Sequence, residues 1–192
     1  MEEQPEPIAG LIRDHRVIEE VVGRAREAIA AAAARPNDAG LIAHGIEQLR
    51  DLDAFAAVDL TLHIAKEEQV LFPALRARAE AVVADMLAQH DEVRDRNAKV
   101  RQVLAAIDSH HDDVRAQTAN LSDSLQSAAP EAVSPALLST LYETVKTLDW
   151  ILQGHFLDEE DNLFEPALAW FTADAFADLA RSMATLDRLS DI

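Results

Sequence analysis

At 192 residues, 49% of them hydrophobic, the chain can build one sizeable core, but with aromatics at 5% it is too poor in them for a typical β-sandwich. Seventeen basic residues against 35 acidic ones give a formal charge of -18, a surface that repels phosphate backbones and anionic lipid and argues against nucleic acid and membrane partners. The absence of cysteine excludes disulfides, thiolate zinc sites, iron–sulfur clusters and thiol catalysis.

The first residues, Met1-Glu2-Glu3-Gln4-Pro5-Glu6-Pro7, are acidic and carry no apolar run, so no signal peptide is expected. No stretch approaches the ~20 uninterrupted apolar residues of a membrane span. The expectation is a soluble cytoplasmic protein. Few Gly and Pro residues and abundant Ala and Leu favour helix.

Ile8, Leu11, Ile12, His15, Ile18, Val22, Ala25 and Ile29 recur at helical spacing, and Pro36-Asn37-Asp38 with Gly40 stop that helix and start the next. The second helix carries Leu49, Leu52, Phe55, Val58, Leu62, His63 and Val70, with Pro73 expected to kink or end it. A third is expected from near Glu80, with Val83, Leu87, His90, Val93, Val100, Leu104 and Ile107 on one stripe. The pattern weakens from Asp108 to Ser134, where Val114 to Leu125 reads as helical, either as an extension or as a separate piece. A fourth helix carries Leu138, Leu141, Val145, Leu148, Leu152, His155 and Phe156 and is expected to end at Pro166. Residues 171–190 read as a shorter amphipathic helix capping the bundle. No alternating run or Asn-Gly turn competes. The predicted fold is all-α, a single domain over 1–192: an up-down-up-down four-helix bundle, core about 8–168, with an additional C-terminal helix.

Two stretches resemble each other: His63-Ile64-Ala65-Lys66-Glu67-Glu68-Gln69-Val70-Leu71-Phe72 and His155-Phe156-Leu157-Asp158-Glu159-Glu160-Asp161-Asn162-Leu163-Phe164. They match at the His, at both Glu residues and at Leu-Phe. Positions four apart share a helix face, so each stretch aims an imidazole and a carboxylate the same way. A hairpin levels two positions when its turn lies midway between them. The midpoints of His15 and His63, of His63 and His90, and of His90 and His155 fall in the Pro36–Gly40 breaker, just past Pro73, and in the irregular segment. Four imidazoles then share a layer with Glu67 and Glu159. Burying two carboxylates without counter-charge costs several kcal/mol each, at order-of-magnitude level. A pair of cations removes that cost, and imidazole with carboxylate suits iron, manganese or zinc.

A single His-x-x-x-Glu on a helix is usually a surface contact; two copies with the same sequel are a stronger signal. Glu68 and Glu160, turned about 100° from the pairs, read as solvated or as holding a neighbouring imidazole N–H. His44 reads as surface, and His110 and His111, beside Asp112 and Asp113, as a solvated turn. Glu19, four after His15, and Asp59, four before His63, are candidate extra ligands or partners of ligands. Leu71-Phe72 and Leu163-Phe164 read as core. Leu62, Val93, Ile151, Leu152 and Phe156 are candidates for a dry apolar shell around the ions.

The order His15, His63-x-x-x-Glu67 running into Leu71-Phe72-Pro73, His90, then His155-x-x-x-Glu159 resembles the hemerythrin-like, or HHE cation-binding, family over about residues 8–168. That resemblance implies a non-haem di-iron centre: two iron ions bridged by Glu67, Glu159 and an oxo or hydroxo group, with His15, His63, His90 and His155 as terminal ligands and manganese or zinc as substitutes. Oxygen-carrying hemerythrins have a second imidazole four residues after the third-helix His, where this chain has Arg94, and His-x-x-x-x-Asp on the last helix. The chain therefore resembles a four-His, two-Glu variant, which weakens the expectation of reversible oxygen carriage. The small molecules implied are O2, H2O2 or NO, in catalase-like peroxide decomposition or in iron, oxygen or nitric oxide sensing.

Overall fold

The computed structural model describes residues 4–85, 91–126 and 133–190, without the side chains of 82–85 and 91–97. The described residues are 94% helical and contain no strand. Helix α1 (Glu6–Ala34) starts with Pro7 in its first turn, where a missing N–H costs nothing, and ends before Pro36. Asp38 caps α2 (Ala39–Phe55), its carboxylate accepting from the N–H groups of Gly40 and Leu41 at 3.1 and 3.2 Å.

The second helical run goes on through a π-helical turn, π1 (Ala56–Leu60), then α3 (Thr61–Lys66), π2 (Glu67–Leu71) and α4 (Phe72–Asp85). Next come α5 (Asp91–Gln126) and α6 (Pro135–Glu159), the latter capped by Ser134, whose hydroxyl accepts from Leu137 N–H at 3.1 Å. A third π-turn, π3 (Glu160–Phe164), leads into α7 (Glu165–Trp170), and α8 (Ala173–Ser190) completes the described chain. The fold is an all-α helical bundle with an added C-terminal helix.

Three expectations about helix limits, at Pro73, Pro166 and Glu80, are corrected, and one alternative is settled. Pro73 is the second residue of α4 and does not end the run. The N–H of Phe72 reaches back five residues to the Glu67 carbonyl. Proline follows where the ladder changes register, and it is tolerated in the first turn of the resumed helix. Pro166 sits in the same way as the second residue of α7, directly after π3. Glu80 lies in α4 and does not start a new helix; of the two alternatives for Val114 to Leu125, the extension holds, because these residues belong to the unbroken α5.

The chain divides into two compact units. The first comprises Met1–Asp14, Thr61–Ser109 and His155–Ile192. Its core holds Ile8, Leu11, Leu71, Phe72, Leu104, Ile107, Leu163 and Phe164, closed by Phe176, Leu179 and Met183 of α8. Both Leu-Phe pairs are thus core, as expected. The second unit comprises His15–Leu60 and His110–Gly154. It buries Ile18, Val22, Ile29, Leu49 and Leu52 with Leu121, Leu141, Val145 and Leu148. Within it α1 and α2 approach closely: a Cβ on Gly45 would lie 3.3 Å from the Ala28 carbonyl and the Ala32 methyl.

Candidate metal centre

The matched motifs are alike in three dimensions as well as in sequence. His63 sits on α3 and Glu67 opens π2; His155 sits on α6 and Glu159 is its last residue before π3. π-turns insert an extra residue and are frequent at functional sites. Here each one begins at or just after the motif's first Glu. His63 is 2% exposed, His155 1%, and Glu67 and Glu159 0%. His63 Nε2 lies 3.1 Å from Glu67 Oε1, and His155 Nε2 lies 3.5 Å from Glu159 Oε2. Two donors bonded to one ion at about 2.1 Å and near right angles stand about 3 Å apart, so these separations suit shared ions. Phe156 packs against both rings, 6.0 Å from His63 edge-on and 5.6 Å from His155.

α1 and α5 each run without a break past the last first-unit residue on them. His15 is one turn beyond Leu11, and His111 one turn beyond Ile107, both buried in that unit's core. Both imidazoles are 0% exposed. Two groups of donor atoms result, each with all its atoms within 4.8 Å of one another: His15, His63, Glu67 and Glu159; and Glu67, His111, His155 and Glu159. The two groups share both carboxylates and differ in their imidazoles.

His111 is the correction of consequence. It is buried on a continuous helix, not in a solvated turn. His90 lies outside the described residues, so its position is not part of this geometry. With His111 the hairpin arithmetic closes. The midpoint of His111 and His155 is residue 133, between the end of α5 at Gln126 and the start of α6 at Pro135. The midpoint of His63 and His111 is residue 87, which lies outside the described residues. The signal was legible: Val100, Leu104, Ile107, His111, Val114, Leu121 and Leu125 form one buried stripe at spacings of three, four and seven.

Glu19 and Asp59 are not in these groups. Glu19 is partly exposed and pairs with Arg16 at 3.0 Å, and Asp59, within π1, is exposed. His44 is exposed, as expected. Of the candidate apolar shell, Leu152 and Phe156 are buried, Leu62 and Ile151 partly so, and the Val93 side chain is outside the description.

A set of charged residues absent from the sequence reading stands behind His63. Its Nδ1 lies 3.5 Å from Asp14 Oδ2 on α1. Lys66 Nζ lies 3.5 Å from the same oxygen and 2.9 Å from Asp187 Oδ1 on α8. Such carboxylate partners fix the tautomer and orientation of a metal-binding imidazole. Burial disfavours the imidazolium of His63, but Glu67 and Asp14 outweigh it and raise the pKa to about 9. Burial pushes Asp14 up, and His63 and Lys66 more than reverse it, holding the carboxyl below its usual 3.8. Burial also pulls Lys66 down, but Asp187 and Asp14 carry it above 10.5. Glu159 is driven well above 4.5, first by burial and then by the charge of Glu67. Two adjacent buried carboxylates without a cation are an unfavourable arrangement. Hard oxygen and borderline imidazole donors in this ratio suit divalent first-row metals, so the residues fit bound metal.

Paired imidazole–carboxylate groups buried in an all-α bundle define a helical metal-binding protein. A family model, the hemerythrin HHE cation binding domain, matches residues 6–108, just over half of the chain. The chain belongs to that family. The match includes His15, His63 and Glu67 and ends before His111, His155 and Glu159. No curated protein matches the chain significantly.

Proposed function

We propose that the chain is a non-haem di-iron protein that binds or reacts with a small oxygen species, O2 or peroxide. The observation that carries this reading is that both donor groups contain Glu67 and Glu159. Shared carboxylates are what two ions held side by side require. His15 and His63 then serve one ion, and His111 and His155 the other. His111 takes the place that the sequence reading assigned to His90. When bound, the irons supply an electron reservoir and Lewis acidity.

The chain's own residues do the rest. Glu67 and Glu159 offset two positive charges, and the pair of divalent ions keeps a net positive charge that favours small anionic ligands. Asp14 holds the His63 ring in place. Phe156 keeps bulk water from the His63 and His155 imidazoles.

Protein purified without a polyhistidine tag and assayed with hydrogen peroxide tests the reaction. Oxygen evolution that is lost in His63→Ala supports it; turnover no greater than that of free iron at equal concentration refutes it. One observation favours a second reading, a sensor of iron, oxygen or nitric oxide without turnover: α8 is tied to His63 through Asp187, Lys66 and Asp14. In that case metal or ligand binding alters protease sensitivity of the C-terminal segment while no turnover is detected.

A further inference from the structure

Both His-x-x-x-Glu motifs run into the same backbone arrangement. Glu67 opens the five residues of π2, and Phe72-Pro73 follow; the five residues of π3 come directly after Glu159, and Glu165-Pro166 follow. In each case proline is the second residue beyond a π-turn. All these residues belong to the first compact unit. The helical run does not break at either proline: Phe72 has φ -65° and ψ -41°, and Glu165 has φ -60° and ψ -49°. Pro7 is also the second residue of its helix, but the described residues before α1 are not helical.

Proline within a continuous α-helix lacks the N–H of one ladder bond, and its ring collides with the carbonyl four residues back. Here those carbonyls belong to Gln69 and Asn162. A π-turn inserts one residue, and a ladder position goes without its N–H where the register changes back. A residue that has no N–H costs nothing at that position. The two prolines therefore penalise the α register and leave the π-turns unpenalised. The register matters to the site, because the π2 bond donated by Phe72 N–H ends on the backbone carbonyl of Glu67 itself. Beyond the turn, the buried Leu71 and Phe72 fix the chain in the core. Replacing the π-turn by α register removes the inserted residue and turns Glu67 by about 100° relative to that anchor.

We propose that Pro73 and Pro166 are positioning residues of the metal centre. By excluding the α register they hold π2 and π3, and so hold Glu67 and Glu159 at the angle at which each carboxylate stands beside its own imidazole. The inference rests on the metal reading given above. Neither proline belongs to the donor groups. Their role also sets them apart from Leu71-Phe72 and Leu163-Phe164, which fill the core.

Three variants of the full chain, Pro73→Ala, Pro166→Ala and Pro7→Ala, separate positioning from support of the fold. Alanine restores the N–H and is the better helix former, so the apo melting temperature of Pro73→Ala does not fall. Its crystal structure shows the new N–H donating to the Gln69 carbonyl, with α-helix in place of π2. Iron(II) affinity, measured by competitive chelation without oxygen, nevertheless falls about ten- to hundred-fold, as when a ligand loses the group that orients it. Pro166→Ala does the same through Glu159, and Pro7→Ala leaves the affinity unchanged. A Pro73→Ala chain that keeps π2, an affinity equal to that of the wild type, an equal loss in Pro7→Ala, or a loss of metal accompanied by a lower apo melting temperature overturns the proposal. A wild type that takes up no iron overturns the metal reading and this inference with it; a wild type that binds iron no more tightly than Pro73→Ala overturns this inference alone.

Discussion

Glu67 and Glu159 are both fully buried, with carboxylate oxygens close enough that the charge of Glu67 helps to hold Glu159 protonated far above its ordinary range. In the metal-free protein this pair opposes folding. In the proposed centre it would be the element shared by the ions, so the same two residues would set both the instability of the apo form and its affinity for metal.

Replacing one of them separates those effects. Glu159→Gln keeps the shape and is neutral without taking up a proton, so the apo protein gains stability at neutral pH, by about 1–3 kcal/mol, while metal binding falls below two ions per chain. Thermal melts with and without chelator, paired with metal analysis, check both halves. Loss of apo stability together with loss of metal would mean that Glu159 is held by packing the substitution disturbs.

The apo protein also has a defined pH dependence. Glu159 is raised above 4.5, and His63 is raised from 6.5 to about 9. Both groups bind protons more tightly folded than unfolded. Their contributions are fully present below 4.5 and 6.5, respectively, and are lost as pH rises through the folded-state values. Apo stability should therefore decline from about pH 5 towards pH 9. Metal uptake displaces those protons, so metal affinity rises over the same interval. Denaturant midpoints of apo and loaded protein across this range should diverge with increasing pH.

His111→Ala and His90→Ala discriminate between the ligand set of the geometry and that of the sequence reading. His111→Ala is expected to lose metal or to retain only one ion. His90→Ala is expected to bind two. Metal analysis of the two variants after identical purification decides it, and the reverse pattern would return His90 to the site.

Why His111 escaped the sequence reading has a physical explanation. It lies in Asp108-Ser109-His110-His111-Asp112-Asp113, a run whose polarity suggests solvent. Yet α5 buries only a narrow stripe, so most of its residues are polar even where the helix is packed, and a window average conceals the stripe. The two His-x-x-x-Glu motifs were legible because each combines unusual residues at fixed spacing with an apolar sequel that closes the core. The prolines misled for a different reason. A π-turn before Pro73 and another before Pro166 lets each helix resume through a residue that ordinarily stops one, and nothing in the local sequence marks a π-turn. Asp14, Lys66 and Asp187 come together only in three dimensions, from α1, α3 and α8.

Asp14→Asn should lower metal affinity by about 10–100-fold without removing any donor, because His63 loses the carboxylate that orients it. Lys66→Met should instead loosen α8, whose Asp187 it holds at 2.9 Å. Competitive chelation measures the first effect, and limited proteolysis at the C-terminal segment measures the second. Equal affinity in Asp14→Asn and wild type would reduce the 3.5 Å contact to a surface feature.

The central claim is that one pair of carboxylates serves two ions. Iron content combined with X-ray absorption at the iron edge tests it most directly. The account predicts two irons per chain and a second metal scatterer at about 3.5–4 Å from each. A single iron per chain with no metal neighbour, in protein whose Glu67 and Glu159 are intact, would contradict it.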